Sequence, residues 1–250
     1  MARSMDFELS SSQYVYANDS ASTSITGDLS GEAWFKPETI GINQMVLSKS
    51  LDTSNQISYG FFITTTNKLQ AFFSDNGTID DTHYVVCATD DAQITSTGKW
   101  WHVAFSFDIS GEDCKFYVGD VDTEPALKAS SLIFGTTIGA TLDNNASAFS
   151  MGARKYATPN NYVDGKIFNT RLWSDVRTIT EFQDNYKTIL TNTGTNNLND
   201  AWLYDNNLTS ASGNNDLTAV NAPVFTNDVP FGAPVGRNPI FFSTGGLAIN

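Results

Sequence analysis

The segment GKWWHVAFSFD, residues 98–108, alternates apolar and mixed positions with a period of two. Trp101, Val103, Phe105 and Phe107 fall on one side, and all four are apolar. Trp100, His102, Ala104, Ser106 and Asp108 fall on the other. Only an extended strand keeps such a set on one face, and that face belongs in a core. The mixed face, with Trp100 and His102, is either exposed on the outside of a sheet or covered by a loop or helix. The same alternation recurs at 7–9, 14–16, 31–36, 45–49, 58–64, 69–74, 83–88, 115–118, 148–152, 165–173 and 201–204. Turn-rich runs such as SDNGTIDD, DISGED, TLDNNAS and TNTGTNN separate these segments. Many short strands joined by Gly, Asn and Asp turns make an all-β chain folded as an antiparallel sandwich.

One segment breaks the pattern. In TITEFQDNYKTIL, residues 178–190, Thr178 and Glu181 form a capping-box pair. Phe182, Tyr186 and Ile189 follow on one face of a short amphipathic helix. Past residue 227 the sequence becomes rich in Pro and Gly. We read 1–227 as the sandwich and 228–250 as an extended C-terminal tail. Pro230, Pro234 and Pro239 keep that tail extended, and Ile240, Phe241, Phe242, Leu247 and Ile249 give it apolar surface to bury. A neighbouring subunit is the expected surface, so a homo-oligomer is expected.

Charge narrows the partners. The net charge is −13, with 14 Lys and Arg against 27 Asp and Glu. Phosphate recognition needs clustered cations, so nucleic acid and anionic membranes are excluded as partners. No run reaches the ~18 apolar residues of a membrane span, and the N-terminus lacks the apolar core of a signal peptide. The chain is therefore expected to be made in the cytoplasm. The two cysteines, Cys87 and Cys114, have no zinc-ligand spacing and read as buried thiols, with a disulfide between neighbouring strands as the alternative.

Taken in order, DFELSSSQYVY, GDLSGEAWFKPE, MVLSKS, YGFFI, GKWWHVAFSFD, CKFYVGD, SMGARKY and YVDGKIFNTRLWSDVRT resemble the laminin-G-like, concanavalin A-like lectin/glucanase family. The similar sub-type is that of phage structural and bacterial surface proteins. The resemblance spans about residues 5–225. It implies a jelly-roll of two antiparallel sheets, and binding of sugar or protein more often than catalysis. Glu32, Ala33, Trp34, Lys36 and Pro37 match one family strand. Trp100, His102 and Val103 match a second, and Gly165, Ile167, Arg171 and Trp173 a third. Phe168 and Asn169 stand where the family often has an acidic pair, so no role of those carboxylates carries over. Gly119-Asp120 stands where the family usually has Asp-Gly in a hairpin, which suits a type II′ turn.

Catalysis has little support. A glucanase of this type needs carboxylates such as Glu-x-Asp-x-x-Glu on one strand. The nearest approach, Asp120, Asp122 and Glu124, lacks the first Glu and reads as a solvated turn. No G-x-S-x-G, P-loop or GxGxxG is present. Calcium is a candidate cofactor, because the resemblance includes calcium-dependent relatives and the loops at 18–20, 75–81, 89–91 and 142–145 supply oxygen ligands. For a sugar, the loop GARKYATPNNYVDG offers Arg154, Tyr156, Asn160, Asn161 and Tyr162, rings to stack and amides to bond hydroxyls. The expectation is thus a non-catalytic binding or decoration module of an extracellular assembly, a phage virion first among these. It would recognise a glycan, or a capsid or tail protein lattice. A glycan-active hydrolase is the alternative.

Overall fold

The computed structural model describes residues 2–191, 193–194 and 196–232. Its strands are β1 Ser4–Phe7, β2 Tyr14–Ala17, β3 Leu29–Pro37, β4 Gln44–Leu51, β5 Gln56–Ile63, β6 Leu69–Ser74, β7 Tyr84–Thr89 and β8 Trp101–Asp108. They continue with β9 Asp113–Asp120, β10 Ala126–Lys128, β11 Ser130–Phe134, β12 Phe149–Met151 and β13 Gly165–Trp173. After the helix α1, Ile179–Asn185, come β14 Leu198–Trp202, β15 Thr218–Val220 and β16 Val224–Thr226.

All pairings are antiparallel and form two sheets of eight strands. The first runs β10-β9-β8-β3-β13-β1-β16, with β14 beside the C-terminal half of β13. The second runs β11-β7-β6-β5-β4-β12-β2-β15. This is the antiparallel sandwich the alternation implied, in the two-sheet form the resemblance implied. Val103, Phe105 and Phe107 of β8 are fully buried between the sheets. Phe107 stacks on Phe73 of β6 with ring centroids 3.8 Å apart, and Phe105 meets Phe61 of β5 at 5.1 Å. Trp101, at the strand's start, is only partly buried against the same core.

The opposite face of β8 is covered, not exposed. Helix α1 lies across it, with the rings of Phe182 and Tyr186 6.4 and 5.8 Å from that of His102. The capping box forms as expected: Thr178 Oγ1 accepts from Glu181 N–H, and Glu181 Oε2 accepts from Thr178 N–H. The helix is shorter than the 178–190 expected, because regular hydrogen bonding ends at Asn185 and a turn from Asn185 to Thr188 follows. Ile189 lies beyond its end.

Several local expectations need correction. The first strand is Ser4–Phe7 and not 7–9, since Leu9–Ser11 forms a 3-10 turn closed by Ser12 at φ 53°. Gly119-Asp120 does not form the hairpin turn. Both residues continue β9, and the turn is closed by Asp120 N–H bonding Thr123 O at 2.8 Å. Gly119 serves close approach, since a Cβ there would lie 2.7 Å from the backbone of Thr123 and Pro125. Asp120 is largely buried, and its Oδ1 accepts the N–H groups of Asp122 and Thr123. Strands β10, β11, β15 and β16 had no expected counterpart. They lie at sheet edges, are three to five residues long, and lack a buried face to impose alternation.

The chain leaves β16 across the outer face of the first sheet. Asp228 bonds Lys36 Nζ at 2.7 Å and Trp100 Nε1 at 3.0 Å, and its carbonyl accepts from Ser4 Oγ at 2.7 Å. Pro230 is buried, and Phe231 meets Trp34 and Phe168 edge-on at 5.8 and 5.3 Å. Residues 228–231 thus cover Trp100 on the chain's own sheet. Pro234, Pro239 and the apolar group Ile240, Phe241, Phe242, Leu247 and Ile249 lie outside the described residues.

Candidate functional site

The charged residues of the matching strands come together first. β3 lies between β8 and β13, with Trp34 opposite His102 and Glu32 opposite Arg171. Glu32 Oε2 is 2.5 Å from His102 Nε2, and Glu32 Oε1 is 2.9 Å from Arg171 Nε. Arg171 Nη2 donates to Asn185 O at the end of α1. Burial opposes ionisation of Glu32, but Arg171, His102 and Arg177 outweigh it and hold the carboxyl below its ordinary range. Glu32, His102 and Arg171 are all 1% exposed or less. With no path for a substrate, this group ties α1 to the sheet. Asn169, in place of a family carboxylate, sits at φ 51° beside the register shift of β13 and donates to Thr188 O.

Of the three acidic residues at 120–124, Asp120 is likewise engaged, while Asp122 and Glu124 are exposed. Asp120 pairs with Lys99 at 2.7 Å besides capping its turn. Cys87 and Cys114 are free, buried thiols that interact across the core, and burial pushes the Cys114 thiol up.

Two of the loops named for calcium, 18–20 and 142–145, do not fit a divalent cation. Lys49 is fully buried, and its ammonium donates to Asp19 Oδ1 at 2.6 Å and Ser147 O at 2.7 Å, with Asp143 near enough to favour its charge. A lysine therefore stands where the 18–20 and 142–145 loops would hold a metal. Asp75 bonds His83, Asp80 caps Thr78 and Thr82, and Asp90 accepts from Ser131. Asp6, Glu8 and Glu38 also gather, but Lys166 pairs with both Asp6 and Glu38. Burial raises the Asp6 pKa, which weakens it as an anionic ligand.

The outer face of the second sheet is different. Phe72 lies across Gly60 of the neighbouring strand, where a Cβ would meet the ring at 2.3 Å. Phe72 contacts Phe62 and Tyr84, at 6.4 and 5.8 Å, and Tyr84 contacts Phe134 at 6.0 Å. The loop 152–164 folds back over this row. Its base is closed by Arg154 N–H to Asn160 O at 2.9 Å, and Asn161 O accepts from Met45 N–H. Asn161 takes φ 54°, a conformation asparagine tolerates well. The Arg154 guanidinium stacks 4.4 Å from the Phe72 ring and 4.0 Å from that of Tyr156. Tyr162 packs toward Tyr14 at 6.3 Å.

Two depressions adjoin here, of about 430 and 460 Å³. The first is floored by Phe62, Gln70 and Ala88, with Lys68 and Ile133 at its sides. The second is lined by Asn160, Asn161, Tyr162 and Pro159. Asn43 and Thr65 line both, so the two lie side by side and together make the candidate groove. Of the five residues expected at a sugar site, Asn160, Asn161 and Tyr162 line the groove. Arg154 and Tyr156 stack beside it over Phe72. Asn43, Phe62, Lys68 and Gln70 were not anticipated. Phe62 and Gln70 are direct cross-strand partners whose side chains turn away from the core while Phe61 and Leu69 are buried in it. That outward alternation was the available signal.

The sandwich and the sequence agree on a class. Residues 9–183 match the concanavalin A-like lectin/glucanases superfamily, and the chain belongs to its laminin-G-like branch. A solved structure of a candidate carbohydrate-binding protein from Bacteroides ovatus aligns with a TM-score of 0.66 at 16% identity, over 93% of this chain and 62% of that one. The present chain thus spans about three-fifths of that relative's length. The heptameric SAP-like pentraxin of Limulus polyphemus aligns at 0.52 with 12% identity, over 90% and 94% of the two chains. The LG1-3 region of the laminin alpha2 chain aligns at 0.51 with 10% identity, over 71% and 32%. At such identities the likeness is one of fold. No curated protein is similar to the chain in sequence.

Proposed function

We propose that this chain is a non-catalytic carbohydrate-binding module and that its ligand lies in the groove on the outer face of the second sheet. The observation that carries this reading is the adjacency of the two depressions, which share Asn43 and Thr65. It sets the amides of Asn43, Gln70, Asn160 and Asn161 along one path with the rings of Phe62 and Tyr162. Amides bond sugar hydroxyls in both directions, and rings cover the apolar faces of pyranoses. The aligned Bacteroides ovatus protein is itself described as a candidate carbohydrate binder, which supports the reading. Among the described residues no carboxylate lines either depression, which argues for binding without hydrolysis.

The resemblance to phage structural proteins supports an extracellular assembly, a virion first, as the setting. Detection of the chain in purified particles tests that part separately. For the binding itself, titration calorimetry against the strongest ligand from a glycan array is the direct test. Asn161→Ala combined with Gln70→Ala is expected to weaken binding by about tenfold or more, the loss of one to two hydrogen bonds, with the chain still folded, since alanine at φ 54° costs only about 1–2 kcal/mol. Unchanged affinity in that double variant would remove the groove from the ligand's path. Release of reducing sugar from a polysaccharide panel would instead establish the hydrolase alternative.

A further inference from the structure

We infer that the groove selects an acidic saccharide, one bearing a carboxylate or sulfate, with Lys68 as the residue that reads the negative charge. This rests on the carbohydrate reading above and adds the ligand's class. The argument begins from charge placement. The chain carries 27 acidic side chains against 14 Lys and Arg, yet no acidic residue lines the groove among the described residues. Lys68 is the one charged side chain that does.

Five of the other lysines are matched. Lys36, Lys49, Lys99, Lys115 and Lys166 each lie against an aspartate or glutamate. Lys68 does not. Its backbone N–H bonds Thr64 Oγ1, closing the tight turn that also holds Thr64 N–H to Lys68 O, and its side chain lines the groove with no carboxylate partner among the described residues. The turn therefore holds the residue in place and leaves its charge unspent.

Two further cations on the same face stand on rings. Lys155 Nζ lies 4.5 Å from the Tyr16 ring, and Arg154 lies between Phe72 and Tyr156. Arg154 Nη2 is buried without a hydrogen-bond partner. Phe72 in turn contacts Phe62, the floor of the groove. In a strongly acidic chain, positive side chains thus stand beside the amides and rings of this face. An anion on a sugar ring completes that arrangement, because a charge-assisted bond to an ammonium is stronger than a neutral one. A neutral sugar would leave the Lys68 charge unanswered.

A glycan array printed with matched neutral, uronate, sialylated and sulfated saccharides tests this, followed by titration of the strongest ligand and its neutral counterpart. The acidic form is expected to bind at least about tenfold tighter, a ratio one charge-assisted contact supports. Lys68→Gln should abolish that preference while keeping the affinity for the neutral form, and Lys68→Arg should retain it. The carboxylate and sulfate arms show which anion is read. Asn161→Ala should weaken acidic and neutral forms alike. If the neutral counterpart binds as tightly, or Lys68→Gln keeps the preference, the acidic-saccharide inference falls and the groove stands. If no saccharide binds, or binding ignores both Lys68→Gln and Asn161→Ala, the carbohydrate groove falls with it.

Discussion

Glu32 sits among Arg171, His102 and Arg177 beneath α1, without access to water. Removing one member of such a group leaves the others charged and unpaired, which costs several kcal/mol. Because the fold holds the Glu32 carboxyl below its ordinary value of 4.5, the unfolded chain takes up a proton first as pH falls. The contribution of Glu32 is therefore complete above that value and fades as pH falls through the lowered one. Glu32→Gln should lower stability by about 3–5 kcal/mol at neutral pH and lose less than the wild type on acidification to pH 3. Urea denaturation at the two pH values measures both, and equal acid sensitivity would place the acid-labile group elsewhere. On the other face of the same sheet, Phe105→Ala should cost roughly 3–5 kcal/mol, since the ring is fully enclosed by Phe61 and Phe73. A melting shift no greater than that of a surface variant would show that the face is not core.

Among the elements, strength of sequence signal follows how completely each one is enclosed. β6 and β13 have the bounds that alternation assigned, 69–74 and 165–173, because both faces or one whole face are packed. The capping box of α1 was equally legible, since it is local and needs no tertiary partner. The edge strands β10 and β11 expose Leu127, Leu132, Ile133 and Phe134, so burial imposes no period on them. The strap at 228–231 was unreadable for a related reason. Its side chains gain their partners from Lys36, Trp100 and Phe168, all more than 50 positions away in the chain. Ending the chain at residue 227 should lower stability by roughly 2–4 kcal/mol, from lost apolar burial and the Asp228 bonds. Ending it at residue 232 keeps the strap and gives the reference. Thermal unfolding of the two truncated chains compares them directly, and equal melting temperatures would show that the strap contributes nothing.

At the scale of the whole molecule, the acidic groups are distributed so that lysines answer the crowded ones. Lys49 ties the 18–20 and 142–147 loops, and Lys166 ties Asp6 to Glu38. The fold should accordingly be indifferent to calcium. Neither EDTA nor millimolar calcium is expected to move the melting temperature, and a calcium-dependent rise of several degrees would locate a metal that these oxygens do bind. The sequence by itself determined the two-sheet sandwich, most of its strands, the capped helix and the burial of Phe105, because period and turn chemistry are written in neighbouring residues. It also pointed to the loop that carries Asn160, Asn161 and Tyr162. Only the tertiary structure decided that Arg154 and Tyr156 stack to one side of those three, and that Asn43, Phe62, Lys68 and Gln70 join them. It alone decided, too, that Glu32, His102 and Arg171 meet, and that a lysine occupies the calcium-like loops. These are juxtapositions across strands and loops distant in the chain, set by register and by the stacking of sheets, and no local pattern encodes which distant residue will stand opposite.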